Sequence, residues 1–294
     1  MATESKKADT KKLGIIQPSP TDRKKYVFKL VYTNIMKLKY VFQVLQNNKS
    51  AHISCIALSN KLTLYCRTSA FKLFIVINFM GNKMDEYIPP IKPIDFMINQ
   101  TDINLLYKKL GKNCTKFTWY MDNNDKCNIN WLIDTKFQNH QSRNKIIIKT
   151  GSMKLDKELV NYIRTPKCML KCNLDWKLLN HIIKSATNVN ASSIIFCHSG
   201  KDSEFHIKYD DDTSRNISVE RFKDGGKDIN LDISGMGNNY LHVCIVPKNI
   251  SKLTTIALTS CATISLTNDK DVKINCVIDN GSIVVNVLVP LKKE

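Results

Sequence analysis

Residues 151–167 read GSMKLDKELVNYIRTPK, and this stretch decides how the 294-residue chain is divided. It has neither the alternation of a strand nor the caps of a helix, and it runs into Pro166. An exposed connector between two like domains has this composition. On both sides of it the order of elements is the same: strand, short helix, several strands, short helix, strands. The chain therefore divides into a basic arm (1–25) expected to be disordered, a first domain (26–150), the connector (151–167) and a second domain (168–294). The length suffices for two ordinary cores.

Working outward, the second half opens with a strand ending at Asp175, which is placed to cap a helix running to Asn188. A second helix starts at Lys248. In the first half, IMKLKYVFQVLQ (35–46) and TDINLLYKKLG (101–111) have helical spacing, with Asp102 near the start of the latter and Gly111 at its end. Many short alternating runs between these helices read as antiparallel strands. The fold class is α+β, with two tandem domains of antiparallel sheets and two helices laid on one face of each. The arm MATESKKADTKKLGIIQPSPTDRKK is polar and basic, with Pro18 and Pro20, and has too little apolar area to fold alone. It can touch DNA, serve as a localisation signal or simply be solvated.

A net charge of +18 attracts polyanions and speeds association with them. Nucleic acid is the first candidate partner, and an anionic membrane the second. With neither a signal-peptide core nor a bilayer-spanning apolar run, the chain is expected to be soluble and intracellular, with no membrane partner. Its ten cysteines are then expected to be free thiols, most of them at apolar positions of strands. Cys168 and Cys172 lack the second pair that a zinc site needs, so no metal or cofactor is expected.

The four helices share one feature. Each has an apolar stripe, such as Leu179, Ile182, Ile183 and Ala186, and the remaining faces carry lysines, amides and hydroxyls. Apart from Asp102 and Asp175 at the caps, where a helix N-terminus favours an anion, the helices contain no carboxylate. A solvated face normally mixes both signs, because opposite charges one turn apart support it. Lys37, Lys39, Lys108, Lys109, Lys112, Lys177, His181, Lys184, Lys248 and Lys252 are therefore the candidate DNA-binding residues. Point charges of this kind suit phosphate contact rather than base readout.

At this point the chain resembles the PCNA-type sliding clamps. CMLKCNLDWKLLNHIIKSATNVNASSIIFCHSGKDSEFHIKYDD (168–211) is similar to that family's strand, helix and hairpin. INCVIDNGSIVVNVLVPLK (274–292) resembles its closing hairpin, and LDKELVNYI (155–163) sits where its interdomain connecting loop would be. The two first-half helices match more weakly, and order and spacing carry the resemblance over about residues 26–292. The strong basic charge and the extra arm depart from the usual acidic members and look more like the clamps of large DNA viruses. The resemblance implies two clamp-type domains and a homotrimeric ring around double-stranded DNA, bound without sequence preference. It also implies a processivity factor serving a DNA polymerase and other replication or repair factors, in the nucleus or a viral replication compartment. It implies a partner-peptide pocket at Phe71, Leu159, Val160, Ile163, Leu288 and Pro290. The implied subunit edges are Arg143–Lys149 and Ser214–Phe222, with Arg143, Ile146, Ile147, Ile148, Ile217 and Val219 as interface residues.

An enzyme is the rival class. The run from Tyr209 to Thr213 has three adjacent aspartates but stands between two short strands, as a hairpin turn does. Phosphate-binding glycine motifs are absent, and His181 and His198 have no nucleophile or acid at a recognisable spacing. The chain is thus expected not to be an enzyme. The alternative within the same fold is a viral protein that grips DNA as a monomer or dimer, as a processivity or late transcription factor.

Overall fold

The computed structural model describes residues 20–48, 52–68, 73–151, 168–198, 204–211, 216–223, 229–232, 241–254, 256, 258–259, 261–267 and 271–289. In the first half these form α1 (Pro20–Lys25), β1 (Tyr26–Tyr32), α2 (Ile35–Asn47), β2 (His52–Ala57), β3 (Lys61–Arg67), β4 (Phe74–Met80), β5 (Glu86–Ile88) and β6 (Ile94–Asn99). They continue with α3 (Gln100–Lys109), β7 (Cys114–Asp122), β8 (Asp125–Phe137) and β9 (His140–Lys149). The second half has β10 (Cys168–Asp175), α4 (Trp176–Asn188), β11 (Ile194–His198), β12 (Glu204–Asp211), β13 (Asn216–Lys223), β14 (Ile229–Asp232) and β15 (Leu241–Ile245). It closes with α5 (Pro247–Thr254), β16 (Cys261–Thr267), β17 (Val272–Ile278) and β18 (Ile283–Val289).

The sheet orders expose the duplication. One sheet runs β5-β1-β7-β8-β9, another β13-β12-β11-β15, and the largest β14-β10-β16-β17-β18-β4-β3-β2-β6. Adding nine to each strand number of the first half reproduces the second half, and the helices fall at the same two places. The largest sheet is thus two half-sheets fused where β18 pairs antiparallel with β4, from Ile283↔Phe79 to Leu288↔Phe74. All pairings among the described residues are antiparallel, in keeping with short alternating strands joined by turns.

Side chains set this register. Strands such as β2 and β17 alternate buried and less buried residues, so one face of each enters the core. One large apolar core of the described residues runs through both halves. In the first half it centres on Trp119 and Trp131, directly opposite each other on β7 and β8, with ring centroids 5.6 Å apart at 86°. Neither indole N–H has a hydrogen-bond partner. Edge-to-face packing sets one ring's positive edge against the other's π-face, a favoured aromatic geometry. Five of the ten cysteines are buried, fewer than the strand patterns imply. Burial pushes the thiols of Cys172 and Cys276 up to about 12.

Some local expectations change. Residues 20–25 form α1 rather than belonging to a disordered arm, with Pro20 as its first residue and Asp22 in its first turn. The N-cap of α3 is Asn99, two residues before the expected start at Thr101, and Asp102 reaches back to the Asn99 N–H at 3.1 Å in a capping box. Asp175 caps α4 as expected, accepting from the N–H groups of Lys177 and Leu178 at 2.8 and 3.0 Å. β5, short and followed by two prolines, had no periodicity to reveal it. β8 and β9 join in a hairpin whose tip lies beyond the part of β8 that β7 pairs.

Candidate nucleic-acid and partner surfaces

The helices form one layer across both halves: α2 packs on α3, α4 on α5, and α2 also meets α5. Their buried stripes, such as Leu38, Val41, Phe42 and Leu45 of α2 or Ile250 and Leu253 of α5, face the core, so their polar sides face outward together. On α4, Lys177, His181, Lys184 and Asn188 make one exposed row at spacings of four, three and four. Lys248 and Lys252 form an exposed i, i+4 pair on α5, and Lys108, Lys109 and Lys112 are exposed at the end of α3.

The central helix differs from expectation. The outer ridge of α2 is Met36, Tyr40, Gln43 and Asn47, while Lys37 and Lys39 lie half-buried on its two flanks. The Lys39 ammonium stands 5.1 Å from the centre of the Tyr107 ring on α3, a cation–π contact between neighbouring helices. No carboxylate occurs in α2, α4 or α5, and the single acid of α3 is engaged in its capping box. All ten candidate residues thus lie on this helix layer or at its end; those of α3, α4 and α5 are exposed, and the two lysines of α2 are half-buried.

The implied interface residues fall on two free sheet edges. Among the described residues β9 pairs only with β8, and β13 only with β12. On β9, Ile147 is 59% exposed, Ile146 is half-buried and Ile148 faces the core, so Ile148 serves packing rather than a side-chain contact. Arg143 makes a two-pronged bond across the hairpin to Asp134, Nε to Oδ1 at 2.6 Å and Nη2 to Oδ2 at 3.0 Å. That guanidinium holds the Asp134 carboxyl below its usual range. Ile217 and Val219 lie on β13 opposite Asp210 and Lys208.

Of the implied peptide pocket, Phe71, Leu159, Val160, Ile163 and Pro290 lie outside the described residues. Leu288 is described, and it sits apart from the main core with Phe74 and the partly buried Tyr65. This cluster marks the β18–β4 junction between the halves, and the Arg67 guanidinium lies 5.2 Å from the centre of the Phe74 ring. Tyr65 and Phe74 escaped sequence reasoning, because their strands read as ordinary core strands. Polar contacts join the halves as well, Ser282 Oγ donating to the Lys83 carbonyl at 2.9 Å. Asp279, in the turn before β18, accepts from the Tyr32 hydroxyl at 2.5 Å and from Asn34 Nδ2 at 3.1 Å. The turn at 212–213, the glycines at 235 and 237, and Thr255 lie outside the described residues.

Among the described residues no group of three or more His, Cys, Asp or Glu side chains could hold a metal ion, and no helix is long and apolar enough to cross a membrane. No family profile matches the chain, and no curated relative matches it. Solved structures do. The proliferating cellular nuclear antigen (PCNA) of Entamoeba histolytica matches with a TM-score of 0.68 at 13% identity, over 91% of this chain and 100% of its own. A PCNA2–PCNA3 complex from Sulfolobus tokodaii matches with a TM-score of 0.71 at 12% identity, over 90% and 100%. The fold of this chain is that of a PCNA-type clamp, two tandem α+β units of antiparallel sheets.

Proposed function

We propose that this protein is a non-catalytic DNA clamp whose chains close head to tail, as a trimer, around duplex DNA and tether a polymerase to it. The observation that carries this reading is the helix layer, four adjacent helices whose outward sides carry lysines and amides and no free carboxylate. Such a surface holds phosphates in any register and reads no base, so the complex slides rather than docks.

The sheet topology supports the ring. Within one chain, the ninth strand of the second half (β18) pairs with the fourth strand of the first (β4). The counterparts are β9 and β13, both free, and joining them between chains would repeat the internal junction. Different edges meeting head to tail close into a ring when the rotation permits. The Leu288–Phe74–Tyr65 cluster, together with the connector, is our candidate for the partner-peptide pocket, where a tethered polymerase meets the primer end repeatedly as an intramolecular partner.

Retention on nicked circular DNA tests the reading. A closed clamp stays on the circle and is lost from the same DNA once linearised. Lys177→Glu with Lys184→Glu should shorten retention and lower the log–log salt slope by about one for each phosphate no longer neutralised. Equal loss from circle and line would instead support a monomeric or dimeric DNA grip, and an unchanged slope would take the DNA surface away from α4.

A further inference from the structure

At the opposite edge of the first sheet from β9, strand pairing stops early. β5 covers only Lys29, Leu30 and Val31 of β1, because Pro89 and Pro90 follow Ile88 and a proline has no N–H to continue the ladder. The first three residues of β1, Tyr26 to Phe28, therefore have no strand partner on that side among the described residues. A groove of about 380 Å³ lies there, lined by Tyr26, Val27, Pro89, Pro90, Ile91, Ile94 and Asn123 with Lys92 and Lys126. Its lining holds two lysines and no carboxylate.

Three features make this groove a built surface. Ile91 is 94% exposed, an aliphatic knob in the run PPIKP, whose three prolines restrict the backbone before anything binds. Tyr26 is held edge-on to Tyr120 at 5.3 Å, with the ammonium groups of Lys25 and Lys29 each 5.2 Å from its ring centre. The β7–β8 turn pins the start of β1 from the other side, Asn123 donating to the carbonyls of Lys24 and Lys25 at 2.9 and 3.0 Å. The wall is therefore rigid where the edge is open.

We propose that this groove docks an extended segment of a partner protein, its backbone adding to the open edge of β1. An aliphatic or aromatic side chain packs on Pro90 and Ile91, and a neighbouring carboxylate meets Lys92 and Lys126. Strand addition supplies the affinity, and the apolar anchor and the cationic rim supply the choice of sequence. The site is independent of the clamp reading and uses neither the helix layer nor the β18–β4 junction.

The test uses the full chain and a fluorescein-labelled decapeptide in which leucine and valine alternate with glutamate, followed by fluorescence anisotropy. Ile91→Asp and Lys126→Glu should each weaken binding at least tenfold. Lys136→Glu, an equal charge change at an exposed site outside the groove, should leave it within twofold. Circular dichroism and DNA retention of Ile91→Asp should match the parent, which separates loss of the site from loss of fold. The proposal is overturned if Ile91→Asp binds as the parent does, if Lys136→Glu loses as much, or if serine in place of the aliphatic residues binds equally well. It is also overturned if deleting residues 1–19 raises the affinity tenfold, since the chain's own segment would then be the occupant. A lower mass of Ile91→Asp in light scattering would assign the groove to a second copy and overturn it too.

Discussion

Tyr32 and Asp279 show how single residues join the halves. The Tyr32 phenol is buried and donates to a carboxylate at 2.5 Å, and burial together with that negative charge raises its pKa well above the ordinary tyrosine range. A group whose folded pKa is raised stabilises the fold fully below its unfolded pKa of about 10, and that contribution is lost as pH rises through the folded value. Stability should therefore decline above about pH 10, and Tyr32→Phe should blunt that decline. At pH 7 the same substitution leaves Asp279 only Asn34 of its two donors. It should cost about 1.5–3 kcal/mol, the usual contribution of a hydrogen bond to a charged group. Urea midpoints at pH 7 and pH 10.5 measure both effects; a variant equal to the parent at both would show that the junction does not depend on this bond.

Among elements, β9 carries the strongest expectation. It is the free edge of the first sheet, long and bearing an exposed Ile147, a combination that invites pairing with another chain. Ile147→Pro disturbs the backbone of this edge, and Ile147→Glu keeps the N–H while placing a charge in the contact. Both variants should run as monomers of 33.6 kDa in light scattering while keeping the parent's circular dichroism. Assembly that survives both would place the contact elsewhere. The tip of the β8–β9 hairpin, with Phe137 60% exposed, lies beyond the part of β8 that β7 pairs and is a separate exposed surface.

For the whole molecule, the helix layer, the free edges and the junction cluster lie in three separate places on one frame. Function at each should therefore be separable from function at the others. Leu159→Ala with Ile163→Ala, tested as the connector side of the proposed pocket, should reduce stimulated primer extension by about thirtyfold or more if these are hot-spot anchors of roughly 2 kcal/mol. Assembly and retention on circular DNA should be unchanged. Full extension length with the double variant would move polymerase contact to another surface.

Whatever repeats locally was legible along the chain. Helical and strand periods are set by neighbouring residues, so the two-half plan, the helix stripes, the cap at Asp175 and the carboxylate-free helices could all be read from residue order. The balance of Lys37 and Lys39 could not, because half-burial on the flanks of α2 depends on which helices lie beside it. Ile148, Tyr65, Phe74 and Leu288 likewise alternate as strand residues do, and the pattern does not tell a core face from a junction. Which strands pair, and which remain as edges, depends on contacts between residues far apart in sequence, such as Leu288 with Phe74 or Asp279 with Tyr32. Those contacts form only when the two repeats fold against each other. That is why the β18–β4 fusion and the open start of β1 belong to the tertiary structure alone, whereas β9 and β13 could be named as edges beforehand only through the family resemblance.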